Sequence, residues 1–279
     1  MIYKKILDTL NSNKKGALLT VIETQGSTPR KAGTKMFVSE DGETFGTIGG
    51  GDFESTLIKL AIDFINRKKS KVRNASQIKD SWDKHMRSLQ HSENVLIEEF
   101  DFSSIDKNKI DMHCGGKMKV LIEPIIPSPK AIIFGGGHIS IVLAKILKLL
   151  EFNVTVTDDR RKYANKKRFP DINEIIAGDY NKQFSKLKIN DNTYLIIVTR
   201  AHSQDEICLF HSLKTNARYI GMIGSKNKFE IIKTNLLKKG FKKKDLERIH
   251  CPIGIDIGAQ TPEEIAISIV AEIIKEKYK

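Results

Sequence analysis

Residues 131–158 read AIIFGGGHISIVLAKILKLLEFNVTVTD, and three patterns succeed one another in them. Ala131 to Phe134 form a short apolar run that ends at glycine, as a strand buried on both faces does. From His138 onward the apolar residues recur at helical spacing, and NVTVTD then reads as a second strand. Strand, helix and strand in immediate succession make a βαβ unit. Its first turn carries Gly135, Gly136 and Gly137, and Asp158 follows Gly135 by 23 residues at the end of the second strand. Those are the positions at which a dinucleotide fold needs a pyrophosphate turn and a ribose acceptor. Ser140 stands where the third glycine of that fingerprint would allow close helix–strand packing. The turn therefore decides the fold, while nucleotide binding and a purely structural turn both stand as readings.

Working outward, apolar runs at NEIIAGD, TYLIIVTRA and RYIGMIGS are separated by helical stretches, the alternation of a doubly wound parallel sheet. In GAQTPEEIAISIVAEIIKEK, Thr261 can cap a helix, Pro262 takes its first position and Glu264 completes a capping box. Upstream, IEPIIPSPK places Pro124, Pro127 and Pro129 within six residues, a run expected neither to continue a helix nor to sit inside a sheet. The domain boundary is placed there. Residues 1–127 then form a smaller, mixed α and β domain, and residues 128–279 a Rossmann-like domain. The first domain opens on a helix, passes through the strand GALLTVIET and the loop STPRKAG, and turns at SEDG as a hairpin. A helix DFESTLIKLAIDFINRK and strands near NVLIEEFDF and KMKVLIEPI follow.

The net charge of +13 over 279 residues is uneven, +3 in residues 1–127 and +10 in 128–279. Such a balance favours acidic partners. The basic runs RRKYANKKR (160–168) and KKGFKKK (238–244) lack the repeated aromatics of a stacking platform, so they read as solvated faces and nucleic acid is not expected. No apolar run reaches bilayer length and no charged leader opens the chain, so no membrane association and a cytoplasmic location are expected. Cys114, Cys208 and Cys251 are odd in number and widely spaced, which argues against disulfides and cysteine-rich zinc sites.

A second glycine run, Gly49, Gly50 and Gly51 in GTIGGGDFE, lies between a strand and an amphipathic helix. With Gln25, Ser27 and Arg30 from TQGSTPRKAG it can make an oxyanion cradle. The alternative is a plain strand-to-helix connection with Arg30 paired to Glu54. In MHCGGKMKV two glycines remove cover from Cys114, and His113 and Lys117 bring positive charge that favours a thiolate. Cys208 falls on an apolar helix stripe, and Cys251 is undecided. His138, Arg200 and His202 follow strands whose loops flank the point where the strand order reverses. Hydrogen bonding suits them better than a zinc site completed by Asp205. Gly224 and Ser225 open a further helix at an anion-friendly N-terminus, with Lys226 nearby.

QGSTPRKAGTKMFV, GTIGGGDFE, HCGG, FGGGHIS, the DDR at 158–160, TRAH, YIGMIGSK and PIGIDIGAQTPEEIAISI, in this order, resemble the XdhC/CoxI family over nearly the whole chain. Members are accessory proteins that mature xanthine dehydrogenase and related molybdenum hydroxylases. The resemblance implies a chaperone that binds a molybdopterin-type molybdenum cofactor, supports its sulfuration with a cysteine desulfurase as donor, and inserts it into a hydroxylase client, acting as a homodimer. It places Cys114 near the cofactor, handling sulfur or touching molybdenum, with no metal held by protein ligands alone. One branch of the family has Ser-Gly-Gly-Cys where this chain has Gly49, Gly50, Gly51 and Asp52, so no role of that cysteine carries over. The competing expectation is an NAD(P)-dependent oxidoreductase with His138 or His202 as proton donor.

Overall fold

The computed structural model describes residues 1–66, 86–91, 95–102 and 115–278, the segment 86–91 by its backbone alone. His113 and Cys114 lie outside the described residues. The chain divides into two compact units, Met1–Pro127 and Ser128–Lys279.

The first unit runs α1 (Ile2–Asn11), β1 (Gly16–Gln25), β2 (Lys35–Ser39), β3 (Thr44–Gly46), α2 (Gly51–Ile65), β4 (Met86–His91), β5 (Leu96–Asp101) and β6 (Lys117–Ile125). Its strands form one antiparallel sheet in the order β3-β2-β1-β6-β5-β4. The SEDG turn joins β2 to β3 as a hairpin, with Gly42 at φ +83°. Strand β5 alternates buried and half-buried residues, as a sheet with one covered face requires. The cover is α2, whose Phe53, Leu57, Ala61 and Ile65 recur every fourth residue and pack on Val21, Met36, Val38 and Val120. Phe53 meets Phe100 edge to face, ring centroids 4.8 Å apart.

One expectation is corrected in this sheet. Pro124 does sit in a strand, opposite Ala17 of β1. Among the described residues the pairing of β5 with β6 begins at Ile122, so Pro124 pairs with β1 alone and its missing N–H interrupts no described ladder on the other side.

The second unit runs β7 (Lys130–Phe134), α3 (His138–Leu149), β8 (Asn153–Asp158), β9 (Glu174–Ala177), α4 (Tyr180–Phe184), β10 (Thr193–Ile197), α5 (His202–Ser212), β11 (Tyr219–Met222), α6 (Lys226–Lys238), α7 (Lys243–Leu246), β12 (Ile249–His250) and α8 (Pro262–Lys277). All its strand pairs are parallel, in the order β12-β11-β10-β7-β8-β9. The sheet is covered on both faces. Ala131 and Ile133 point to a core shared with Leu143, Leu147, Ile269 and Ile273 of α3 and α8, while Ile132 and Phe134 point to one shared with Leu209, Ile232 and Leu236 of α5 and α6. Cys208 belongs to the second of these cores, as its place on an apolar stripe implies. The capping box of α8 forms: the Thr261 hydroxyl accepts from the Glu264 N–H at 3.2 Å, and the Glu264 carboxylate accepts from the Thr261 N–H at 2.9 Å.

This is a doubly wound α/β unit of the Rossmann type, and its strand order reverses between β7 and β10. The connection from β8 to β9 is a series of turns through 159–173 instead of a helix.

Candidate functional site

In the first unit the loop after β1, the glycine run before α2 and the glycine pair before β6 converge. A side chain at Gly116 would strike the carbonyl of Gln25 at 2.2 Å and that of Ser27 at 2.7 Å, so these backbones touch where only glycine fits. Gly49 lies against Pro29 of the same loop, 3.0 Å from where a Cβ would stand. Gly50, Gly51 and Gly115 have nothing within 4 Å of that position, which leaves bare backbone facing open space. Gln25, Ser27 and Arg30 are exposed beside it.

The glycine run already closes around an anion, and that anion is Glu54. Its Oε2 accepts from the Thr47 hydroxyl at 2.5 Å, the Ile48 N–H at 3.0 Å and the Gly50 N–H at 3.0 Å. Burial pushes the Glu54 carboxyl up, but the Thr47 hydroxyl and the N–H groups of Gly50, Ile48 and Gly49 hold it below its ordinary value. Glu54 therefore belongs to the turn and is not the partner of Arg30. The positive φ values of Gly49, Gly50 and Gly51 (155°, 78° and 63°) let three successive residues fold back toward one carboxylate.

The second glycine run has the same construction. In Asp158, Oδ2 accepts from the Gly136 N–H at 2.8 Å and from Arg160 Nη2 at 3.2 Å, and Oδ1 from the Arg160 N–H at 2.9 Å and Nε at 3.0 Å. Burial works against this carboxylate, yet the Arg160 guanidinium and the two N–H groups keep its pKa lowered. Arg160 lies flat on the Tyr163 ring at 3.7 Å, and Arg168 Nη2 donates to the Gly136 carbonyl at 3.1 Å. The run RRKYANKKR is thus more than a solvated face, since two of its arginines turn inward onto the glycine turn. Ser140, fully buried, fills the place of the third glycine and donates its hydroxyl to the Gly135 carbonyl at 2.6 Å.

Across the switch point, a Cβ on Gly135 would meet the Val198 carbonyl at 2.3 Å. Arg200 binds the Asp159 carboxylate at 2.9 Å, while His138 and His202 are exposed. Asp205 is not available to a zinc site. It is fully buried, accepts from the Thr199 hydroxyl at 2.6 Å and pairs with the Lys228 ammonium. Burial pushes Asp205 up, and Lys228 and Thr199 pull it only part of the way back. Among the described residues, no three His, Cys, Asp or Glu groups are arranged to hold a metal ion.

Gly224 is covered by the Lys228 side chain, and Ser225 caps α6 by accepting from the Lys228 N–H at 3.2 Å. Cys251 faces the Gly224 carbonyl, and burial pushes its thiol up to about 11, so it is protonated near neutral pH. Nothing in the local sequence signals the Asp205–Lys228 pair, whose members are 23 residues apart. The role of Glu54 has a visible cue in the acid that follows GGGDF on the first helical turn.

Together these features define a two-unit protein: an antiparallel sheet with a glycine-lined loop cluster, and a Rossmann unit whose turn is closed by its own carboxylate. Residues 131–273 match the model of the XdhC Rossmann domain, and residues 9–74 match the model of the XdhC and CoxI family. The chain belongs to the XdhC/CoxI family. It is 28% identical over 262 residues to the uncharacterized protein YqeB of Escherichia coli K12, an alignment covering 94% of this chain and 43% of YqeB. The chain thus spans less than half the length of that relative. It is 24% identical over 330 residues to a probable xanthine dehydrogenase subunit of Bacillus subtilis 168, covering 99% of this chain and 98% of that one. A solved structure described as a xanthine dehydrogenase from Bacillus halodurans is 23% identical, with a TM-score of 0.49, and covers 100% of this chain and 96% of its own. No helix among the described residues is long and apolar enough to cross a membrane.

Proposed function

We propose that the protein is an accessory factor for a xanthine dehydrogenase-type molybdenum hydroxylase, binding the molybdopterin-type cofactor at the loop cluster of the first unit and delivering it to the client. The observation that carries this reading is the convergence of three loops at the one after β1, where Gly116 packs backbone to backbone on Gln25–Ser27 and Gly49 lies against Pro29. Glu54 takes the Ile48 and Gly50 N–H groups, so a phosphate-bearing ligand would meet the open backbone at Gly51 and Gly115 and the positive end of the α2 dipole beside it. Arg30 and Lys31, both exposed on the loop after β1, supply positive charge. The residues present therefore fit an anionic group. When bound, that group supplies the redox-active molybdenum centre that the hydroxylase requires. Gln25, Ser27 and Arg30 would orient its polar edge, and Gly50, Gly51 and Gly115 would admit it close to the chain.

Sulfur handling by Cys114, with a desulfurase as donor, belongs to the same proposal. The thiol lies next in sequence to Gly115, whose open backbone borders the cluster. The likeness to the Bacillus subtilis relative supports the choice of client.

The test is to purify the chain from cells that make molybdenum cofactor and to identify what accompanies it by mass spectrometry. Arg30→Ala and Gly50→Val should retain the cofactor at least tenfold less well, about 1.4 kcal/mol of binding. Equal retention by these variants, or a chain free of cofactor, would sink the reading. Cys114→Ser should still bind cofactor and fail to activate an apo-hydroxylase, whereas Cys208→Ser should activate it normally.

A further inference from the structure

We infer that Asp158, the ribose acceptor of the Rossmann unit, is liganded by its own chain through the Gly136 N–H and Arg160, and that this unit holds no nicotinamide dinucleotide across Gly135–Asp158. A dinucleotide needs two things from such a turn: open backbone at the second glycine of the fingerprint, here Gly137, for its pyrophosphate, and a free carboxylate for the ribose hydroxyls. The first is open, since a Cβ on Gly137 would meet nothing within 4 Å, but the second is not. A Cβ built on Gly136 would lie 2.3 Å from the Tyr163 carbonyl oxygen, so the loop after β8 packs on the turn and keeps Arg160 against Asp158. The Asp158 carboxylate has about four acceptor positions, and all are taken: one by the Gly136 N–H, one by the Arg160 N–H and two by the Arg160 guanidinium.

Asp158 is 1% exposed. Withdrawing Arg160 to admit a ribose would strand a buried charge, and it would also strip the guanidinium from the Tyr163 ring and disturb the Arg168 bond to the Gly136 carbonyl. A ligand would have to replace all of these contacts before gaining anything, the opposite of a preorganised site. Gly137 and the N-terminus of α3 leave room for a phosphate, but a phosphate contact alone does not seat the ribose of a dinucleotide. The hydride-transfer reading of this domain, with His138 or His202 as proton donor, therefore loses its cofactor. The inference concerns the second unit alone and stands apart from the cofactor reading of the first.

The full chain is to be melted with 1 mM NAD, NADH, NADP or NADPH, and exchange of the Gly136 amide followed with and without each. The expected result is a shift under about 1 °C and unchanged exchange, against roughly 5 °C or more for a ligand present at about 100 times its Kd. A shift of that size with slowed Gly136 exchange overturns the inference. Arg160→Ala gives a second measurement that needs no ligand. With circular dichroism showing a folded chain, its melting temperature should fall by roughly 5 °C as the buried carboxylate loses both guanidinium donors and keeps only its two backbone N–H groups. Melting within about 1 °C of the unmodified chain would show that Arg160 does not hold Asp158, and the inference fails.

Discussion

Both glycine runs resemble phosphate loops because the backbone problem is the same: several N–H groups point one way and need an anion. The chain supplies Glu54 to one and Asp158 to the other. Replacing Glu54 by Gln keeps the shape and removes the charge. The expected cost is about 1 kcal/mol, seen as a lower melting temperature at pH 7. The sign of its pH dependence follows from a folded-state pKa below the ordinary value. The stabilisation is present above the unfolded pKa near 4 and is lost as pH falls through the folded value, so Glu54→Gln should melt closer to the unmodified chain at pH 3 than at pH 7. The Asp205–Lys228 pair is a different case, because both members lie inside the unit. Lys228→Met leaves an unpaired carboxylate and should cost about 3–5 kcal/mol, while Asp205→Asn combined with Lys228→Met should recover much of that. A strictly additive double variant in chemical denaturation would refute the coupling.

At the scale of elements, the first crossover of the Rossmann unit depends on a serine doing what glycine does elsewhere. Ser140 is fully buried on α3, and its hydroxyl satisfies the carbonyl of Gly135, a residue held at φ +112° against β10. Ser140→Ala should cost about 1 kcal/mol by leaving that carbonyl without its partner. Ser140→Val should cost about 1–3 kcal/mol by overpacking. A Val variant as stable as the parent in urea unfolding would mean that α3 has room to shift. Helix α8 is held at its start by the Thr261 and Glu264 box and in its middle by Glu272, which accepts from the Gly254 N–H at 2.8 Å and from the Tyr219 hydroxyl. The middle contact ties the turn after β12 to the helix and so sets the position of Cys251.

At the scale of the whole molecule, each unit closes a hydrophobic core of its own. A fragment of residues 128–279 is therefore expected to unfold cooperatively and to keep its near-ultraviolet circular dichroism. A broad transition with exposed apolar surface would show that it needs the rest of the chain. The family fold leaves open which unit meets the ligand. Both turns keep open backbone, the first at Gly50 and Gly51 after Glu54 is seated and the second at Gly137, but only the first unit adds open backbone from another loop, at Gly115. This contrast is why the cofactor is assigned to the first unit.

Periodicity alone determined much of the protein. The βαβ opening, the alternation of later strands and helices, the SEDG hairpin and the capping box of α8 are local patterns, and each forms because its interactions span only a few residues. Proline chemistry misled at Pro124, where the outcome depends on whether a neighbouring strand runs alongside, which is a fact of the sheet and not of the residue. The occupants of the glycine turns were also beyond local reading. Asp158 and Gly136 are 22 residues apart, and the spacing that suits a ribose equally suits a hydrogen bond within the chain. Whether that carboxylate faces a ligand or its own arginine is decided by the path of the loop after β8, and that path is fixed by tertiary packing of Tyr163 and Arg168 on the turn.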